Sequence, residues 1–325
     1  MKAPRWIQFA VAACICSAAA RVELQRAGSQ IDISIDGRPF TTYYFDADVA
    51  KPYLMPLRTA SGEILSRSFP VRNDVSMANP RGGAFEPHQR PLYFSHGDVD
   101  GLDFWEEPAF DQYMHDHGHQ AYGHMAIISV EEASEQPDSA VIRARFSLND
   151  PSNRVIGEET QLLVFRGGTQ TRTIDCTFIL HATNGPMDFG DTKEGTFGLR
   201  LGTALSGPSM HMLNSHGAQG EREIWGKPAE WVDYSGTISG KLVGVAVFDH
   251  PKSFRHPTTW HARAYGLLSA NPFGVREFTR DPNQDGAWTV PEGKSLTFRY
   301  EVLIHEGEFP AARIQDEYQR FAAEN

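Results

Sequence analysis

Cysteine is scarce: three occur in 325 residues, and Cys14 and Cys16 both fall within the first twenty. Without that segment only Cys176 remains, so no internal disulfide braces the chain and the core must hold it. Cys176 lies in residues 173–180, a run of strand character, where an inert buried thiol is the expectation. Positive charge is also short, with 30 Lys and Arg against 41 Asp and Glu, a net charge of −11. An acidic surface repels phosphates, so nucleic acid is not an expected partner. No window reaches eighteen apolar residues, which argues against a membrane-spanning helix. The Gly-x-Gly-x-x-Gly turn, the P-loop, the Gly-x-Ser-x-Gly elbow and His-Glu-x-x-His do not occur, which speaks against the common nucleotide enzymes, serine hydrolases and zincins.

What is present points to β structure. Aromatics reach 11%, and 29 Gly with 20 Pro promise many turns. Residues 31–35 alternate apolar with polar, Asp36-Gly37 offers a hairpin turn, and residues 41–45 read as the returning strand. Further strands are expected at 122–130, 140–148, 160–165, 171–181, 196–201, 242–248, 260–268 and 295–304. The clearest helix runs from Pro310 to about Ala323, with Ile314, Tyr318 and Phe321 on one face. No linker or repeat divides the chain. The expectation is an all-β fold: one large antiparallel β-sandwich over residues 21–325, with a short C-terminal helix. A sandwich of this length resembles the large carbohydrate-handling sandwiches of the galactose-mutarotase type.

Residues 1–20 read as a signal peptide, with a basic start at Lys2 and Arg5 and an apolar core from Trp6 to Ile15. Small residues at 17–20 then set cleavage before Arg21. Val11-Ala12-Ala13-Cys14 also fits a lipoprotein box, which would anchor the chain through lipid on Cys14. Either way the expectation is export to the periplasm or beyond.

Four polar clusters carry the candidate chemistry. The first, residues 87–105, holds His88, Arg90 and His96. On a strand, period two puts these three on one face with Leu92 and Phe94, a row able to move protons and hold an oxyanion. A turn-forming loop explains the same residues. The second, residues 191–198, brings Lys193 and Glu194 to a strand start, where side chains often enter a cleft, although a solvated charge pair is the usual reading of such a dipeptide. The third, residues 214–234, sets Trp225, Trp231 and Tyr234 among Glu223, Arg222 and Asp233, as in a sugar platform. The fourth, residues 248–274, crowds His250, His256 and His261 beside Asp249, Arg255, Trp260 and Asn271. A fifth stretch, His115-Asp116-His117-Gly118-His119 with His124, has the alternation that can hold zinc or copper, but no complete ligand set is fixed, so neither metal nor cofactor is assigned.

Taken together, these motifs are similar to a bacterial family of uncharacterised exported proteins sometimes labelled methane-oxygenase-like, or PmoA-like. The likeness rests on Lys51-Pro52-Tyr53, Pro56-Leu57-Arg58, Ser95-His96-Gly97-Asp98-Val99, Asp103-Phe104-Trp105 and Asp191-Thr192-Lys193-Glu194-Gly195. It continues through Trp225-Gly226-Lys227, residues 231–236, Phe248-Asp249-His250-Pro251, Arg255-His256-Pro257 and Asn271-Pro272-Phe273-Gly274. His88-Gln89-Arg90-Pro91 stands where the family often has His-His-Arg-Gly. A membrane oxygenase subunit needs apolar spans that this chain lacks. What the resemblance implies is a sugar-directed activity in polysaccharide use, without established catalytic residues to carry over.

The expected function is that of an exported carbohydrate-active protein, an enzyme on a glycoside or sugar derivative. His96 and His256 would transfer protons, with Glu194 or Glu223 as carboxylate partner. Arg58, His88, Arg90, Lys193, Asp233, Arg255, His261 and Asn271 would bind substrate, with Trp225 and Trp260 stacking on the ring. Hydrolysis, elimination and epimerisation all need an acid and a base, so these residue types do not choose among them. A non-catalytic sugar binder and a metal-dependent oxidase stand as alternatives.

Overall fold

In the computed structural model, residues 20–75, 86–113, 121–136 and 138–324 are described. Residues 1–19, which hold Cys14 and all but the last residue of the expected signal peptide, and the histidines at 115, 117 and 119 lie outside the described residues. Two eight-stranded antiparallel sheets face each other. The first runs in the spatial order Val22–Ala27, Gln30–Ile35, Arg38–Tyr44, Tyr53–Met55, Leu92–His96, Gly195–Arg200, Leu267–Ala270, Trp260–Ala262. The second runs His211–Asn214, Trp231–Ile238, Lys241–Asp249, Ser295–Glu306, Thr171–His181, Val155–Gly167, Ser139–Asn149, His124–Gln136. Each sheet takes strands from both halves of the chain, and one hydrophobic cluster between them reaches from Val22 to Ile304.

Alternation explains most of this. Thr171–His181 buries every second residue, so Ile174, Cys176, Phe178 and Leu180 meet the facing sheet. Asp36 and Gly37 both adopt positive φ, at 53° and 71°, as the tight turn between paired strands requires. The expected strand 260–268 is instead a hairpin, because the chain reverses through Arg263–Gly266 and Gly266 sits at φ 97°. The helices are short except the last: α1 is Gly220–Ile224, α2 Val275–Thr279 and α3 Ala311–Ala322. As expected from their spacing, Ile314, Tyr318 and Phe321 of α3 pack on Trp231, Ala246, Phe248 and Leu303, covering the outer face of the second sheet. No helix among the described residues is long and apolar enough to cross a membrane.

Two ionisable groups border one small void between the sheets. Glu159 and His96 line a space of about 10 Å³, room for a single water at most. Burial pushes Glu159 up to about 8. Burial likewise lowers His96 to about 4, against the bond its Nε2–H donates to the Gly190 carbonyl. Both are therefore neutral near pH 7. The folded chain keeps the Glu159 proton that the unfolded chain releases near pH 4.5, so this group's contribution is full below that pH and is lost as pH rises to about 8. His96 acts oppositely: its neutral burial costs stability as pH falls from about 6.5 to 4. Removing Glu159 isolates its own contribution. The stability difference between the native chain and Glu159→Gln is expected to drift by about 1 kcal/mol per pH unit between pH 4.5 and 8. Urea denaturation at pH 5, 6.5 and 8 measures it, and a constant difference would refute the buried neutral acid.

Candidate active site on the outer face of the first sheet

The strands Tyr53–Met55, Leu92–His96, Gly195–Arg200, Leu267–Ala270 and Trp260–Ala262 of the first sheet are buried on both faces, and the two faces differ in chemistry. Leu92, Phe94 and His96 point inward, so the period-two row expected from the sequence does form, but toward the core. His96 is packed against Phe189 and Phe273, at 5.8 and 4.8 Å between rings. It therefore does not line an open cleft. The outer face carries Tyr93 instead, and pairing sets Tyr53, Tyr93, Gly198, Ser269 and His261 in one row across five strands. Small residues in the middle leave room for a side chain from above. A Cβ on Gly198 would meet the Tyr93 ring at 2.7 Å and Trp105 at 3.0 Å, so the two aromatics close directly over that glycine.

Trp105 comes from the loop that follows Leu102–Asp103. The Asp103 carboxylate accepts from the amides of Trp105 and Glu106, at 2.8 and 2.9 Å, and fixes the turn. Four consecutive side chains then serve different layers. Phe104 enters the core, Trp105 packs at a tilt against Tyr93 at 4.8 Å between rings, Glu106 joins a carboxylate cluster, and Glu107 enters a buried ion triad. In that triad Glu107 meets Lys51 at 3.0 Å and takes two bonds from Arg90, at 2.8 and 2.6 Å. Lys51 also donates to the Trp105 carbonyl. Burial opposes the Glu107 charge, but Arg90 and Lys51 overcome it and hold the carboxyl below its usual value.

Around Trp105 gather groups from well-separated segments. Glu106 is raised to about 7, chiefly by burial and then by the fields of Asp103 and Glu194. Glu194 also acts on Tyr93, Tyr265, Glu86 and His261. Gln89 lies beside Glu86 and Tyr265, and the Arg200 guanidinium lies 4.5 Å from the Tyr265 ring. Glu86 Oε2, Gln89 Oε1, Tyr93 Oη, Trp105 Nε1 and Arg200 Nε are buried without a hydrogen-bond partner among the described residues. Such atoms are costly to bury and usually find a partner. Five of them belong to residues gathered around one buried carboxylate cluster.

His261 borders this cluster with its protonation fixed. Its Nδ1–H donates to the Lys193 carbonyl at 3.1 Å, and its Nε2 accepts from Arg263 Nε at 3.1 Å. Burial, reinforced by Arg263 and Lys193, lowers it, so a neutral, orienting imidazole results. Lys193 bridges Glu194 and Glu277, both at 3.2 Å. Beyond it opens a cleft of about 700 Å³ walled by Trp225 and charged side chains. Glu194, Lys193, Trp225 and His261 thus lie near one another.

The remaining expected residues lie elsewhere. Arg90 is held in the triad between the rings of Tyr53 and Phe110. Arg255 donates to the carbonyls of Pro272, Gly286 and Ala287 and stacks on Phe254 and Trp288, clamping a loop. Asn271 ties Thr192 to Phe273 and Gly274. Trp260 is fully buried in the inter-sheet core, donating to Ala229, and offers no stacking face. Asp233 pairs with His305 at 3.0 Å near the C-terminal segment. Glu223 is exposed and accepts from the Gln219 amide, while its neighbour Glu221 faces the cleft. Arg58 reaches the Phe40 carbonyl, and His88 is buried. His256 bonds the buried Asp249 at 2.9 Å, and its field is felt at Glu230. So His96, His256 and Arg255 do not converge with Glu194 in any described cavity. The polar groups found near Glu194 and His261 instead are Glu106, Glu86, Tyr93 and Arg263, with Gln89 and Arg200 beside Glu86 and Tyr265. For Glu86, Gln89, Tyr93 and Glu106 the one signal in sequence is the density of polar and aromatic residues in 86–107, and for Arg200 and Arg263 there is none.

Residues 30–319 match the model of a family of unknown function, DUF6807. No curated protein matches the chain. Among solved structures, the chain is similar to a galactose mutarotase-like protein from Clostridium acetobutylicum, at 9% identity over 89% of this chain and 99% of that one, TM-score 0.41. It is also similar to a galactose 1-epimerase from Lactobacillus acidophilus, at 10% identity over 89% and 100%, TM-score 0.41. A GH36 alpha-galactosidase from Geobacillus stearothermophilus aligns at 8% identity with TM-score 0.41, over 88% of this chain but 41% of that enzyme.

Proposed function

The chain belongs to the DUF6807 family of unknown function, and we propose from its own site that it is an exported carbohydrate-active enzyme working by carboxyl acid–base chemistry. Glu106, raised to about 7, supplies a proton to a sugar oxygen, and the Glu194 carboxylate accepts one. Gln89, Tyr93 and Arg200 hold hydroxyls, and Trp105 supplies an indole N–H. His261 keeps its ring neutral and braces Lys193 beside Glu194. The observation that carries this reading is the set of five unpartnered buried polar atoms around the carboxylates. A non-catalytic sugar binder would use the same hydroxyl contacts but has no need of a carboxyl held protonated near neutral pH beside a second carboxylate.

The test is direct. The mature chain is incubated with a panel of aldoses and aryl and natural glycosides and followed by NMR for anomeric exchange, bond cleavage or a new double bond. Turnover that disappears in Glu194→Gln supports the reading. Binding without turnover across the panel would transfer the protein to the binder class. Export belongs to the same proposal, and intact-mass measurement on exported protein, expected to begin near Arg21, checks it.

A further inference from the structure

The open cleft beside Lys193 is unevenly charged. Lys193, Arg222, Arg263 and Arg280 line it, against Glu221 and Glu277. Both acids are already matched: Glu277 pairs with Lys193 at 3.2 Å, and Glu221 with Arg263 at 3.0 Å. Arg222 and Arg280 are exposed and have no carboxylate partner among the described residues. Two uncompensated guanidinium groups facing one space are notable in a chain of net charge −11. Trp225 lines the same cleft, with the Arg263 and Arg280 guanidinium carbons 5.2 and 5.8 Å from its ring centre. Its buried Nε1 has no partner among the described residues. An aromatic ring beside two guanidinium groups that have no carboxylate partner among the described residues is complementary to a sugar ring bearing an anionic group.

We propose that this cleft selects an anionic saccharide, one carrying a carboxylate or a sulfate ester. Arg222 and Arg280 would take the charged group, and Trp225 the ring next to it. The inference rests on the carbohydrate reading above and names its substrate class. Lys193 links the two places, since it lines the cleft and contacts Glu194. A substrate anchored at Trp225 by its charge therefore presents its neighbouring glycosidic or anomeric carbon toward the carboxylates.

Titration calorimetry on the full mature chain tests this with four probes: methyl glucuronoside, glucose 6-sulfate, methyl glucoside and inorganic sulfate. At least one anionic sugar is expected to bind roughly ten-fold or more tightly than methyl glucoside, since charge-assisted bonds exceed neutral ones. The two anionic sugars distinguish carboxylate from sulfate ester. In Arg222→Gln/Arg280→Gln the preference is expected to vanish while methyl glucoside binding stays put, and the paired Lys variants are expected to restore part of it. An unchanged melting temperature in the double variant separates lost recognition from lost folding. Equal binding of neutral and anionic sugars would overturn the charge selection and leave the carbohydrate reading standing. Inorganic sulfate binding as tightly as either anionic sugar would overturn the saccharide part. Failure of every sugar to bind would remove both.

Discussion

Replacing Glu107 by glutamine is expected to destabilise the fold by about 3–5 kcal/mol, the range for breaking a buried ion pair from one side. Lys51 and Arg90 are both fully buried, and Glu107 is the carboxylate that both contact. Without its charge, one cation must shed a proton or draw in water, and Arg90 cannot be deprotonated in practice. Lys51 is the weaker member, already lowered by burial. Lys51→Met is therefore expected to cost less, because Arg90 still satisfies Glu107 through two bonds. Equilibrium urea unfolding of the three chains gives the order, and a Glu107→Gln loss below about 1 kcal/mol would contradict the triad. The same contacts carry a functional consequence. Lys51 holds the Trp105 carbonyl, so loosening the triad also loosens the indole over Gly198 and the adjacent Glu106. Sugar binding should then weaken even where the variant is still folded.

The legibility of the chain followed the range of the forces involved. Thr171–His181 and α3 were readable because each buries one face with its own period. The strand Leu92–His96 was harder, since all five of its residues are buried. Period two was correctly present, but a strand covered on both sides does not disclose which row meets the other sheet. The histidines at 88 and 96 drew attention to the inward row, whereas Tyr93 on the outer row belongs to the site. Trp260 shows the same ambiguity: beside His261 it read as a ring platform, and one residue of alternation put it in the core. Glu106 and Glu107 are adjacent and identical in type, yet one is raised to about 7 and the other held low. Only Asp103's grip on the turn and the distant Lys51 and Arg90 separate them, and no local pattern carries that information. Lys193 and Glu194 read equally as a solvated pair at a strand start, and only the placement of Glu277 and His261 beside them shows where the pair sits.

The sharpest functional consequence concerns Glu106. If this carboxyl donates the proton in the reaction, kcat/KM is expected to hold steady below about pH 7 and then fall, approaching ten-fold per pH unit as the acid ionises. The direction follows from the shift: burial, Asp103 and Glu194 keep the proton on Glu106 near neutral pH, and only the protonated form can give it away. Glu106→Gln keeps the shape and removes the proton, so activity is expected to drop by about 10²–10⁴-fold and the alkaline limb to disappear. Stability should move the other way. Because the folded-state value lies above the ordinary 4.5, ionising Glu106 costs stability as pH rises toward 7. The variant, which has nothing to ionise, should lose less stability than the native chain over that interval. Leaving groups that need no protonation provide the decisive comparison. An activated aryl glycoside should lose far less activity in Glu106→Gln than a natural one, if bond cleavage is the reaction. For an epimerase the corresponding signature is slowed anomeric exchange in both directions by the same factor, since one catalyst cannot shift the equilibrium. Full activity in Glu106→Gln with the alkaline limb unchanged would take the proton donor away from this residue. Glu86, whose carboxyl is also raised by burial and lies in the same cluster, would then be the next carboxyl to replace.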